Sequence, residues 1–212
     1  VAAAGLDSLD LALGVGGYPE ARLIILHGPE SSGKSTLAFH ACAEVQRAGG
    51  VAVYIDHEHK LDYGYIAKLG VDVDDLVQPT RSTTTIEKSF DFLEKVVGKA
   101  RTIDGSAPIL IVWDSLQAGI SGRTDKADFG GVSYGPEARA YSAGLAKFIP
   151  MLATSRAFMI AISQVRMDLG SLIPGKTKIG VGKAPNFYAS LILSIVSHRR
   201  LPANDGMHPG EE

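Results

Sequence analysis

The chain has 212 residues, 45% of them hydrophobic and 21% charged, with a formal net charge of −2. That balance is typical of a globular chain with one large core, and it excludes nucleic-acid binding through overall basic charge, so any such site must be local. No apolar run approaches the roughly 20 residues of a membrane span, no signal peptide is visible, and a lone cysteine, Cys42, excludes an internal disulfide and fits a reducing, cytoplasmic compartment.

Taken in chain order, the apolar run at 22–27 predicts a buried strand. It leads straight into Gly28-x-x-x-x-Gly33-Lys34-Ser35. Glycines at those places let successive backbone N–H groups turn inward onto phosphate oxygens. A helix predicted over 34–48 adds its positive N-terminal dipole at the same point. Gly28, Pro29, Glu30, Ser31, Ser32, Gly33, Lys34, Ser35 and Thr36 therefore form a candidate nucleotide-binding loop. Lys34 supplies a charge for the β- and γ-phosphates, and Ser35 a hydroxyl for Mg²⁺. Cys42 falls inside the helix and reads as a structural thiol.

The next strand, 51–56, runs into "YIDHEHKLD". Glu58 sits where a carboxylate orients water toward a γ-phosphate. Asp56 reads either as a structural acid at the strand end or as part of the Mg²⁺ shell. His57 and His59 flank Glu58 without a further ligand cluster, so zinc is not expected. Helices follow at about 62–69 and 83–100. A strand at 108–113 ends in Asp114-Ser115, and Asp114 reads as the second acid of a phosphate-loop enzyme, holding the hydration shell of Mg²⁺.

After a helix at 136–154 and a strand at 157–163 comes Gln164, a candidate sensor of the γ-phosphate. The stretch 166–183 follows with Arg166, Lys176, Lys178 and Lys183 against Asp168, a local net charge of +3. Its glycines permit close approach to phosphates, and Leu172, Ile173, Ile179 and Val181 suit wedging between bases. A solvated loop would have the same composition. A last strand is predicted at 189–196, and the tail from Leu201 reads as loop or frayed end. Strands alternating with helices predict an α/β fold, a mostly parallel sheet with helices on both faces, and functional residues beyond the strands' carboxyl ends. The connections 119–135 and 169–183 are long enough to read as functional.

"GLDSLDLALGVGGYPEARLIILHGPESSGKST", "YIDHEHKLD", "ILIVWDSL", "ISQVRM" and "NFYASLILSI" stand in an order and spacing that resemble the ATPase core of the bacterial RecA family of recombinases, from Gly5 to about Arg200. The resemblance implies a RecA-like P-loop NTPase core, expected as a single domain over 1–212 without the family's N-terminal oligomerisation helix or C-terminal region. It implies ATP and Mg²⁺, DNA-dependent ATP hydrolysis and a helical filament of self-associated copies on single-stranded DNA. It further implies pairing and strand exchange with homologous duplex, in DNA repair and the SOS response, in the cytoplasm at the nucleoid.

By the same resemblance Glu58 activates water, Asp62 and Tyr65 hold adenine, and Gln164 couples the γ-phosphate to DNA. The segments 119–135 and 166–183 match the DNA-holding loops, Arg139 matches an arginine linked to DNA, and Phe187 an aromatic of the subunit interface. The chain departs from the family at Asn186, where RecA carries a lysine that reaches the neighbouring subunit's phosphates; Lys183 lies nearby, with Pro185 altering the backbone between them. A RecA-fold helicase or branch-migration motor would need a further domain or a cysteine cluster. A clock-type ATPase would not need the lysines of 166–183.

Overall fold

The computed structural model describes residues 1–80, 85–125, 135–167, 177–179 and 182–195. Its strands are β1 (Leu23–Gly28), β2 (Val51–Asp56), β3 (Ile109–Asp114), β4 (Ala157–Met167), β5 (Thr177–Ile179) and β6 (Ala189–Ser194). Its helices are α1 (Asp7–Ala12), α2 (Lys34–Arg47), α3 (Tyr63–Lys68), α4 (Ile86–Ile103), α5 (Gly122–Asp125), α6 (Pro136–Ser155) and α7 (Ala184–Tyr188). Five strands run parallel in the order β2-β3-β4-β1-β6, and β5 pairs antiparallel with the far end of β4. No helix among the described residues is long and apolar enough to cross a membrane.

The central strands are apolar on both sides because helices cover both faces. On one face Ile24, Leu26, Leu110 and Val112 pack with Phe39 and Cys42 of α2 and Ile66 of α3. On the other, Leu23, Ile109, Ile111 and Trp113 pack with α4 and α6. Helix α4 buries Ile86, Phe90, Leu93 and Val97, the spacing that keeps one helical stripe against a sheet. The Thr85 hydroxyl accepts from the Lys88 N–H at 3.4 Å and caps its start. Trp113 is fully buried. Its indole N–H donates to the Tyr141 hydroxyl at 3.2 Å, which in turn donates to the Leu116 carbonyl at 2.8 Å. This chain of bonds ties the segment after β3 to α6.

The strands expected at 22–27, 51–56, 108–113, 157–163 and 189–196 are present, with shifted ends. Asp114 is the last residue of β3, not the first beyond it, and β4 runs through Gln164 to Met167. An apolar run marks only the part of a strand buried under helices. Beyond Gln164, β4 leaves the sheet and pairs with β5, where the sequence suggested only a loop. The elements α1, α5 and α7 are too short for periodicity to reveal.

Gly144, inside α6, tests how tightly this layer is packed. A Cβ there would lie 2.2 Å from the Phe90 ring, and that ring is held against Trp113 and Phe148 at centroid distances of 4.9 and 5.6 Å. Helix propensity alone favours alanine by about 1 kcal/mol, but overpacking costs about 1–3 kcal/mol. Gly144→Ala is therefore expected to lower the unfolding temperature; a rise in thermal melts would show that the α4–α6 contact is loose.

Candidate functional site

The phosphate-binding pattern begins at the carboxyl end of β1. Gly28 is needed for close approach: a Cβ there would lie 2.4 Å from the Ile195 carbonyl, just beyond β6. Gly33 caps α2 at φ 93°, in the left-handed region where glycine costs least. Lys34 is buried. Its ammonium donates to the carbonyls of Gly28, at 3.2 Å, and Pro29, and to Ser32 Oγ at 3.3 Å. Burial lowers its pKa, against the opposing fields of Asp114, Glu58 and Glu30. The loop thus presents a lysine held at its centre and a helix N-terminus behind it.

Strands β2 and β3 supply the acids. Asp114 Oδ2 accepts from Ser35 Oγ at 2.8 Å and from the Tyr54 hydroxyl at 2.6 Å. Burial raises the Asp114 pKa; the two hydrogen bonds work against this, and the fields of Glu58 and Asp56 add to it. Tyr54 went unread in the sequence, where it is one aromatic in an apolar strand. Register supplies the missing signal. Tyr54 pairs with Val112 and Asp56 with Asp114, so Tyr54 and Asp114 are diagonal neighbours on one face.

Asp56 is taken up by the turn after β2. Its two oxygens accept from the backbone N–H groups of Glu58, His59 and Lys60 at 2.7–3.0 Å, so of the two roles read for it, the structural acid at the strand end is the one its contacts fit. That turn aims Glu58 back across the sheet edge. Glu58 Oε1 accepts from Ser115 Oγ at 2.8 Å and from Gln164 Nε2 at 3.2 Å, and Oε2 pairs with Lys60 Nζ at 3.2 Å. Burial pushes the Glu58 carboxyl up, but the hydrogen bonds from Ser115 and Lys60 and the fields of Lys60 and Lys34 outweigh it and leave it below its ordinary value. Gln117, also unread in the sequence, fixes the other end of this bridge. Its amide donates to Ser163 Oγ at 2.7 Å and the Gln164 carbonyl at 3.0 Å, and accepts from the Gln164 N–H at 3.0 Å.

A cleft of about 230 Å³ opens here, lined among others by Ser35, Tyr54, Glu58, Asp62, Tyr65 and Asp114. Asp62 caps α3 by accepting from the Tyr65 N–H at 3.0 Å, and the half-exposed Tyr65 ring reaches Thr36 Oγ1 through its hydroxyl at 3.0 Å. Ser35 and Asp114 offer hard oxygen donors in a place where carboxylates crowd, which suits Mg²⁺. Among the described residues no group of three or more His, Cys, Asp and Glu could hold a metal ion, so Mg²⁺ here would take its remaining ligands from phosphate and water.

The residues expected to meet DNA are spread more widely. Arg166 of β4 and Lys178 of β5 are direct cross-strand partners. Lys176 lies outside the described residues. Arg139 stands in the first turn of α6, and Lys183 is exposed at the start of α7. Asn186 and Phe187 are both exposed, Phe187 at 81%. Cys42 is fully buried, which pushes its thiol up to about 12 and leaves it inert at neutral pH.

His57 carries the site's clearest pH signature. Its ring lies 5.0 Å from Trp113, with Nε2 3.4 Å from Ser89 Oγ. Burial, with a smaller contribution from His59, lowers it to about 4, from an ordinary value near 6.5. Between those two pH values the unfolded chain takes up a proton that the folded chain refuses. Stability should therefore fall as pH drops from about 6.5 to about 4, by up to about 3 kcal/mol, with no further loss from this group below that. Denaturant titrations should show this limb flattened in His57→Phe; an unchanged limb would mean that His57 is solvated.

Comparison with known proteins agrees with this geometry. The model of the RecA N-terminal domain family matches residues 1–209. Protein RecA of Geobacter sulfurreducens is 40% identical over 191 residues, covering 90% of this chain and 54% of that protein. Protein RecA of Leptospira biflexa is 40% identical over 197 residues (92% and 48%), and that of Bacteroides thetaiotaomicron 40% over 204 residues (95% and 58%). The chain spans about half the length of these curated relatives. It carries a parallel sheet covered by helices, a loop of the phosphate-binding sequence pattern at β1 and two acids at the ends of β2 and β3, and it belongs to the RecA family.

Proposed function

We propose that the chain is the ATPase core of a RecA-type recombinase. It binds ATP at the loop 28–36, assembles with further copies along single-stranded DNA, and pairs that strand with homologous duplex. The observation that carries this reading is the hydrogen bond between Gln164 Nε2 and Glu58 Oε1. It joins the carboxylate best placed to accept a proton from water to β4, the strand that runs on into the hairpin with Arg166 and Lys178.

In this reading Lys34 and the loop N–H groups hold the β- and γ-phosphates. Mg²⁺, bound by Ser35 with Asp114 behind its water shell, would neutralise charge between them. Asp62 and Tyr65 flank the adenine. Glu58 accepts the proton of the attacking water. Gln164 senses the γ-phosphate and orders the 166–183 segment, a form of switching by nucleotide state. Arg139, Arg166, Lys176, Lys178 and Lys183 contact the DNA backbone, so binding is independent of sequence and weakened by salt. Phe187 packs against the next subunit.

ATP hydrolysis measured with and without single-stranded DNA tests the assignment. Lys34→Ala is expected to abolish turnover. Glu58→Gln is expected to retain nucleotide binding and to lose about 10²–10⁴-fold in kcat. Unchanged turnover in the first variant would remove the phosphate site, and normal rates in the second would remove the base.

A further inference from the structure

Lys60 has no part in the mechanism above, yet its ammonium sits on the carboxylate proposed as the base. Its position is built by the turn that Asp56 closes. His59 adopts φ 55°, and the N–H groups of His59 and Lys60 both donate to the Asp56 carboxylate, so the chain doubles back and Lys60 returns to Glu58. The two Glu58 oxygens are used differently. Oε1 is taken by Ser115 and Gln164, and Oε2 by Lys60 alone among the bonds described.

The pair is made to part. The Lys60 side chain is 71% exposed and that of Glu58 20%, and ion pairs with an exposed partner are weak in water. Lys60 also lines the cleft that Ser35 and Asp114 line. Among the described residues that line that cleft it is the single lysine or arginine, against Asp56, Glu58, Asp62 and Asp114. Besides Glu58, the charges that act on it are Glu30 of the phosphate loop and Asp114. Lys34, the loop's own cation for the β- and γ-phosphates, is held within the loop by Gly28, Pro29 and Ser32, whereas Lys60 approaches from the Glu58 side.

We propose that Lys60 is a mobile cation that distinguishes nucleoside triphosphate from diphosphate: it leaves Glu58 Oε2 for the terminal phosphate, which frees that oxygen toward water. The inference rests on the ATP-binding reading of the same site. Three features support it: the 3.2 Å pair with Oε2, the exposure that lets the side chain swing, and the excess of carboxylates over cations in the cleft lining, to which a terminal phosphate would add further negative charge. Lys60 is in this account a positioning and specificity residue, acting from within its own subunit.

The test is calorimetric binding of a non-hydrolysable ATP analogue and of ADP, each with Mg²⁺, to the wild-type chain, Lys60→Met and Lys60→Arg. The wild-type chain is expected to prefer the triphosphate. Lys60→Met should weaken the ATP analogue about 10-fold or more, as for loss of a charge-assisted hydrogen bond, while ADP changes less than about 2-fold. Lys60→Arg should restore most of the difference. Equal weakening of both nucleotides, no weakening of either, or no wild-type preference would overturn the inference and leave the ATP site standing. Binding of neither nucleotide by the wild-type chain would overturn both.

Discussion

The register of the parallel sheet places Gly28 of β1 opposite Gln164 of β4, and Asp56 of β2 opposite Asp114 of β3. The meeting of the loop after β1 with Glu58, Asp114 and Gln164 depends on that alignment. Parallel strands with helices on both faces must end at one common edge, because each crossover returns the chain to the same side of the sheet. Four such ends bring together a loop lysine, a serine, two acids and a glutamine from distant parts of the sequence. Helix packing holds the alignment: α2 and α3 on one face, α4 and α6 on the other, with Trp113 and Tyr141 tying the segment after β3 to the second layer.

The electrostatics follow from this crowding. Asp114 is buried among other carboxylates and rises in pKa, while Glu58, bonded by Ser115 and Lys60, falls. The two acids at this edge are thereby held apart in pKa, Asp114 by burial and Glu58 by the groups that hydrogen-bond to it. The glutamine that touches Glu58 is clamped along its backbone by Gln117, so Glu58, Gln117 and the end of β4 form one hydrogen-bonded unit.

Much of this was legible in the residues alone, for a physical reason. A phosphate loop is a local device, and Gly28 to Thr36 carry it whole. Asp114 and Gln164 stand out because a polar residue that interrupts an apolar strand marks the sheet edge. Tyr54, Gln117 and Lys60 were not legible. Tyr54 meets Asp114 only through the β2–β3 register, and Gln117 meets Gln164 only because β3 and β4 are neighbours. Lys60 meets Glu58 only because His59 turns left-handed. The β4–β5 hairpin escaped notice because its short second strand lies in a glycine-rich stretch with no alternation to read.

In the proposed function the γ-phosphate, acting through Glu58 and Gln164, controls the grip of the β4–β5 segment on DNA. Fluorescence anisotropy of a labelled single-stranded oligonucleotide tests it most directly, titrated with the chain in Mg²⁺ and a slowly hydrolysed ATP analogue, and then in Mg²⁺ and ADP. The account predicts tight, salt-sensitive binding with the analogue and little with ADP. Equal binding in both nucleotide states, or none in either, would contradict it.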